Sequence, residues 1–227
     1  MSIWDYQWDF GPVFSAFPAL LRGLLVTFQI TGLAILIGTP LGVAIGIALT
    51  SSVREVRLIL FFMTDALRAM PMLILMLGTY YFVPALVGIP GLDATTLAVI
   101  ALSLNLSAFI AFVVRESILS FPTGLREAAS ACGLSKRATV VHVLLPHIGR
   151  PLIPVFSMMY IETLKLSSLA SVIAVYELTH TADKIRTQTF QSLEVFAVVA
   201  GIYLIVVMPL SSLVRMLEKS RHFARRA

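Results

Sequence analysis

Residues 23–53 read GLLVTFQITGLAILIGTPLGVAIGIALTSSV, a stretch with no Asp, Glu, Lys or Arg. A helix needs about 20 consecutive apolar residues to cross the hydrocarbon layer of a bilayer. This run is longer than that. Ala94–Val114 and Val195–Val214 are likewise uncharged and of spanning length. Leu58–Val83 is apolar but carries Asp65 and Arg68, and Pro151–Tyr176 is apolar but carries Glu162 and Lys165. The pattern predicts an all-α integral membrane protein, a five-span helical bundle forming a single transmembrane domain over residues 1–227. Its spans are expected at approximately 20–50, 58–83, 94–114, 151–176 and 195–214, with a long connection at approximately 115–150.

Composition agrees. Hydrophobic residues make up 58% of the chain and charged residues 13%, against roughly 25% charged in a soluble domain, and the mean hydropathy is +0.92. The single cysteine, Cys132, excludes an intrachain disulfide framework and is expected to be a small buried residue.

The net charge of +5 and pI near 9.7 would suit nucleic acid, but the distribution of charge favours a membrane surface. Arg54 and Arg57 follow the first span. Arg115, Arg126, Lys136, Arg137 and Arg150 follow the third, and Arg215, Lys219, Arg221, Arg225 and Arg226 follow the last. Only Lys184 and Arg186 fall in a loop on the opposite side. The positive-inside rule then predicts an external N-terminus and an internal C-terminus, with the basic residues against anionic lipid and no nucleic-acid partner. The acidic, aromatic start (Trp4, Tyr6, Trp8, Phe10) fits an interfacial belt rather than a cleaved signal peptide.

Between Arg115 and Arg150 the apolar run gives way to an amphipathic pattern. Phe121-Pro122-Thr123-Gly124 punctuates its start. Leu125–Cys132 predicts a short helix rich in alanine, which Gly133 would end in a left-handed conformation. Small residues there let a partner approach the backbone closely, and Glu127 offers it a charge.

The order Glu127-Ala128-Ala129, then Gly133, then Val143, Leu145 and Pro146 resembles the cytoplasmic EAA loop of permease subunits in bacterial ATP-binding cassette importers. Further likeness is to the polar amino acid uptake group of these permeases. Gly23-Leu24-Leu25-Val26-Thr27 resembles the entry to its first span. Ser103-Leu104-Asn105-Leu106-Ser107-Ala108-Phe109 is similar to its Ser-Leu-Asn-x-x-Ala-Tyr stretch, and Leu164-Lys165-Leu166-Ser167-Ser168-Leu169 to its Leu-Lys-Asp-Thr-Ser-Leu block, with Glu177-Leu178-Thr179 following. The likeness runs from about Leu20 to Glu218.

The resemblance implies the type I importer permease fold, with a cytoplasmic coupling helix carrying Arg126, Glu127, Ala128, Ala129 and Gly133, and with Leu145 and Pro146 beyond it. It also implies a multi-pass protein of the bacterial inner membrane that is not an enzyme. Its implied partners are an ATPase subunit dimer, a second permease subunit (identical or related) and an extracytoplasmic substrate-binding protein. ATP and magnesium would sit on the ATPase, since no G-x-x-x-x-G-K-[ST] sequence occurs in this chain.

Three departures bear on substrate. Leu67-Arg68-Ala69-Met70-Pro71-Met72 stands where the group often has Phe-Arg-Gly-Thr-Pro-Leu, Leu166 where an Asp commonly follows the lysine, and His147 where Gln is usual. Losing an acid beside the pathway weakens the case for a cationic amino acid.

Ionisable residues inside a span cost about 2.5–3.5 kcal/mol each on insertion scales, so they pair or line a wet cavity. Asp65 with Arg68 and Glu162 with Lys165 are spaced to pair on one helix face. Arg68 and Lys165 are also candidates to attract a substrate carboxylate. Pro71 is expected to free a backbone carbonyl toward the pathway, and Asn105, Glu162, Ser167 and Ser168 complete the candidate substrate-pathway residues. Gly38, Gly42 and Gly46 predict a close helix–helix contact. His142 and His147 lack the neighbours of a metal site, and the methionines Met70, Met72, Met76, Met158 and Met159 read as adaptable packing.

Two other function classes compete. A stand-alone secondary transporter of a small polar solute would need internal repeats that the sequence does not show. A membrane enzyme would need a convergent nucleophile–base or metal constellation, and none can be assembled from these residues.

Overall fold

A computed structural model describes residues 7–88 and 92–223, with side chains described through residue 216. Trp4, Tyr6, Arg225 and Arg226 lie outside the described residues, as do the side chains of Lys219 and Arg221. In chain order the helices are α1 (Gly11–Ser15), α2 (Phe17–Ala48), α3 (Arg54–Ala69), α4 (Met72–Val87), α5 (Ala94–Leu119), α6 (Thr123–Ala131), α7 (Lys136–Thr139), α8 (Leu145–Leu166), α9 (Leu178–Thr189) and α10 (Ser192–Phe223). A π-helical turn (Val140–Leu144) joins α7 to α8, and a 3₁₀ segment (Ser167–Ile173) continues from α8. Four helical stretches are long and apolar enough to cross a membrane, and α3 with α4 makes a fifth if the bent pair is one span.

The α2–α5 contact is built on the glycine series. A Cβ on Gly38 would lie 2.9 Å from the Ser103 carbonyl oxygen, one on Gly42 2.6 Å from that of Ser107, and one on Gly46 2.8 Å from that of Ala111. Only hydrogen fits at these positions, so the backbones approach to van der Waals contact, as small residues permit in membranes. Both partners advance by four residues in the same sense, so α2 and α5 run parallel. The segment between them must therefore carry the chain back along the length of α5, about 39 Å at 1.5 Å per residue. α3 begins that return, antiparallel to α5: Arg68 lies over Phe112 while Phe61, two turns earlier, faces Arg115.

The return differs from the single span expected at 58–83. α3 and α4 meet at a 112° bend. Pro71 has no N–H to continue the helix and forces the residue before it out of the α region. Met70 is accordingly extended (φ −76°, ψ 129°), and Pro71 becomes the N-cap of α4 instead of an interior residue. The fourth span also differs, because α8 tightens into 3₁₀ geometry at Ser167. There the hydroxyls of Ser167, Ser168 and Ser171 donate to carbonyls three residues back, at 2.7–2.8 Å, which competes with regular α bonding.

α5 is the most buried span. One core cluster joins Ile30 and Ala34 of α2, Met76 of α4, Ala98 and Leu102 of α5, and Ile173. A second joins Leu20, Leu178, Ala182 and Val195, tying α2, α9 and α10. Leu36, Phe62, Leu86 and Ile205 point outward, as lipid contact requires. Three buried hydroxyls inside spans are satisfied locally: Thr31, Thr79 and Thr163 each donate to the carbonyl four residues back.

In the connection between the fourth and fifth spans, Glu177 is fully buried. Its carboxylate accepts from the Thr27 hydroxyl (3.3 Å) and from the His180 amide (2.8 Å), capping α9. Burial pushes this carboxyl up to about 7 against the hydrogen bonds it receives. Gly23 leaves room for the contact, since a Cβ there would meet the Leu178 backbone at 3.0 Å.

Candidate functional site

Two regions carry the candidate residues: the surface around α6 and a cavity at the α3–α4 break.

α6 starts after Pro122 and stops at Gly133, whose φ of +73° is easy only for glycine. The Leu134 amide donates to the Ala129 carbonyl (3.1 Å) and the Gly133 amide to that of Ser130 (3.0 Å), the double bond pattern of a Schellman end. Ser135 then caps α7 by accepting from the Ala138 amide (3.2 Å). Ala129 is the one buried residue of α6. Arg126, Glu127, Ala128, Leu145 and Pro146 are all exposed. Glu127 makes no hydrogen bond or ion pair with another described side chain. Cys132 is exposed, contrary to the expectation of burial, because it sits at the C-cap of a helix that buries only Ala129 against the described residues. Phe121 is buried with its ring edge-on to His147, 5.4 Å between centroids. The start of α6 is thereby held against the start of α8.

The cavity, about 250 Å³, is lined by Arg68 and Met70 at the end of α3, Met72 of α4, Asn105, Leu106 and Phe109 of α5, and Met159, Glu162, Thr163 and Leu166 of α8. Arg68 lies over the Phe112 ring, 3.8 Å from its centroid, and bonds Asp65 at 3.4 Å. The Nε of Arg68 is buried with no hydrogen-bond partner among the described residues. Glu162 pairs with Lys165. Asn105 is 7% exposed.

Of the candidate pathway residues, Arg68, Asn105 and Glu162 come together at this cavity, and Pro71 sits between two of its lining methionines. Lys165, Ser167 and Ser168 do not line it. Ser167 is buried with its hydroxyl on the Leu164 carbonyl, and Ser168 bonds that of Lys165. Sequence reasoning treated Met70, Met72 and Met159 as packing. Only the break at Pro71 brings them to a common wall, and no periodicity in the sequence signals it. Among the described residues no group of His, Cys, Asp or Glu is placed to hold a metal ion. His142 instead faces the Ala138 carbonyl at 3.0 Å.

Residues 38–222 match the family described as binding-protein-dependent transport system inner membrane component. The chain is 32% identical over 213 residues to the glutamine transport system permease protein GlnP of Escherichia coli (strain K12), covering 94% of this chain and 97% of that protein. It is 34% identical over 218 residues to the L-cystine transport system permease protein TcyB of Bacillus subtilis (strain 168), covering 95% of this chain and 90% of that one. A chain from the crystal structure of an amino acid ABC transporter with histidines superposes with a TM-score of 0.87 at 28% identity, covering 95% of this chain and all of that one. Family and fold together set aside the stand-alone transporter and the membrane enzyme. This chain belongs to the binding-protein-dependent inner membrane transport components, as the multi-pass, non-enzymatic permease subunit of an importer whose ATPase and binding protein are separate partners.

Proposed function

We propose that the chain carries an amino acid or related carboxylated solute through the cavity at the α3–α4 break, and that α6 couples this movement to ATP hydrolysis. The observation that carries the coupling reading is the exposed α6, fixed at its end by Gly133 and presenting beside Ala128 a Glu127 that pairs with no described side chain. A groove on the ATPase that supplies cationic or amide groups would find in α6 a charged handle and a small-residue face.

Two permease subunits, either two copies of this chain or this chain with a related one, would bring two such helices to an ATPase dimer that holds ATP and magnesium. Closure of that dimer draws the helices together, and rigid-body rotation of the bundles exposes the cavity to the other side. The distribution of basic residues supports α6 on the cytoplasmic face, with the N-terminus outside and the C-terminus inside. The names of the relatives, which cover glutamine and L-cystine, support a polar amino acid as cargo.

The test is ATP hydrolysis by the co-expressed permease–ATPase complex in nanodiscs, wild type against Glu127→Ala, with loaded binding protein added. Stimulated hydrolysis is expected to fall at least tenfold in the variant while the permease remains folded. Full stimulation of a folded Glu127→Ala complex would remove Glu127 from coupling.

A further inference from the structure

The helix α9 is bracketed by backbone strain. Among the described residues, two that are not glycine have a positive φ: Ala174 at 61°, ending the 3₁₀ segment, and Phe190 at 58°, ending α9. Residues with a Cβ rarely adopt this conformation, and it persists only where surrounding contacts hold it. The 12-residue α9 is therefore a rigid piece between two strained joints.

Its first turn is what holds it down. Gly23 makes a notch on α2, since a Cβ there would lie 2.8 Å from Thr181 Oγ1 and 3.0 Å from Leu178 Cα. In the notch, Thr27 Oγ1 accepts from the Leu178 amide (3.2 Å). It lies 3.1 Å from the Gly23 carbonyl and 3.3 Å from Glu177 Oε2. Glu177 Oε1 accepts from the His180 amide (2.8 Å). A hydroxyl has one proton, and here it has two acceptors. With Glu177 ionised, the carboxylate and the Gly23 carbonyl compete for it. With Glu177 protonated, the carboxyl donates to Thr27, Thr27 donates to Gly23, and every group is satisfied.

The amides that open α9 favour a charge at Glu177, but no cation supports it. Among the described residues no ion pair reaches this carboxyl. The one charged residue of α2, Arg22, is exposed. Lys184 lies over the Tyr176 ring, and Arg186 pairs with Asp183. From α10, Tyr203 stands 3.5 Å from the Thr179 hydroxyl and Glu194 accepts from the Asp9 amide. The His180 ring faces the Ser171 carbonyl. Burial prevails and holds the carboxyl at about 7, so both forms are populated near neutral pH.

We propose that α9 is a flap hinged at Ala174 and Phe190, fastened to α2 by protonated Glu177 and released when that carboxyl ionises. Gly23 lies near the start of α2, which runs parallel to α5, and the far end of α5 leads into α6. Flap and coupling helix therefore occupy opposite ends of the bundle. In the proposed orientation the flap is extracytoplasmic, on the side where a loaded binding protein meets the permease. An alkaline exterior loosens the flap and weakens the response to that protein. This last consequence rests on the importer reading; the flap itself does not.

The test is amide hydrogen exchange of the permease–ATPase complex in nanodiscs at pH 6 and pH 8, wild type against Glu177→Gln. Glutamine donates and accepts as the protonated acid does and cannot ionise. His180 is present in both proteins, so the difference between them belongs to Glu177. The carboxyl sits at about 7 with α9 docked and returns to its ordinary 4.5 on release. Between these pH values, protection of residues 178–189 is expected to fall about tenfold further in wild type than in the variant. Gly23→Ala, which fills the notch, is expected to lose that protection at both. The second readout is ATP hydrolysis stimulated by loaded binding protein. The ratio of wild-type to Glu177→Gln stimulation is expected to fall severalfold from pH 6 to pH 8. Equal pH dependence of exchange in the two proteins would overturn the flap. A pH-dependent exchange with a constant ratio of stimulation would overturn its control of transport. Absence of any stimulation would count against the importer reading, while exchange would still decide the flap.

Discussion

Alanine placed at two positions of α2 should have opposite effects, and the difference isolates one contact. At Gly42 the new Cβ would sit 2.6 Å from the Ser107 carbonyl oxygen and 2.7 Å from Ile110 Cβ, whereas at Gly32 nothing lies within 4 Å. Ordinary contact begins near 3.4 Å, so Gly42→Ala requires α2 and α5 to part locally by about 0.8 Å. The obstructing atom is backbone and cannot rotate away. Overpacking of this kind costs about 1–3 kcal/mol, while alanine in place of glycine inside a helix gains about 1 kcal/mol. Gly42→Ala should therefore destabilise by up to about 2 kcal/mol, and Gly32→Ala should stabilise by up to about 1 kcal/mol. The propensity gain is common to both, so their difference, about 1–3 kcal/mol, measures the packing alone. Equilibrium unfolding in mixed micelles by SDS titration, followed by far-UV circular dichroism, reads it directly. If the two variants unfold within about 0.5 kcal/mol of each other, less than the smallest overpacking cost, the glycine series is not what sets the α2–α5 distance.

Other consequences are as direct. Cys132, exposed beside the coupling helix, should react with a membrane-impermeant maleimide in inside-out vesicles and not in intact spheroplasts; the reverse pattern would invert the proposed orientation. Bound ATPase should slow that reaction severalfold. Glu177 is held at about 7 by burial, above its ordinary 4.5. A carboxyl raised in the folded state favours the protonated fold. Its contribution is fully present below pH 4.5, falls as pH rises through 7, and amounts to about 3 kcal/mol. Glu177→Gln should flatten the melting temperature between pH 5 and 8, and parallel slopes in wild type and variant would refute the assignment. Thr27, Thr179, His180 and Tyr203, from α2, α9 and α10, are the polar groups around Glu177.

The Schellman end at Gly133 shows how far local reading can reach. Its outcome depends on residues within one turn, so the expected left-handed glycine appears at φ +73°. The ion pairs at Asp65–Arg68 and Glu162–Lys165 were legible for the same reason, since three-residue spacing on a helix brings side chains together without help from elsewhere. Cys132 went the other way. A small apolar residue is usually buried, but whether α6 has a neighbour on its outer face is not a local property.

The run of uncharged residues determined that the chain crosses a membrane, because the cost of charge in hydrocarbon is carried residue by residue. Periodicity and glycine spacing likewise determined which face of α2 would meet another helix. The sequence did not say that its partner would be α5 running parallel to it, a pairing between segments far apart in the chain. Nor did it say that Pro71 would break the second span into two helices 112° apart, since a proline in a span more often kinks it. That break is what gathers Arg68, Asn105, Glu162 and three methionines around one cavity. A cavity is a gap between surfaces, and its walls come from four helices whose relative placement only their mutual packing decides.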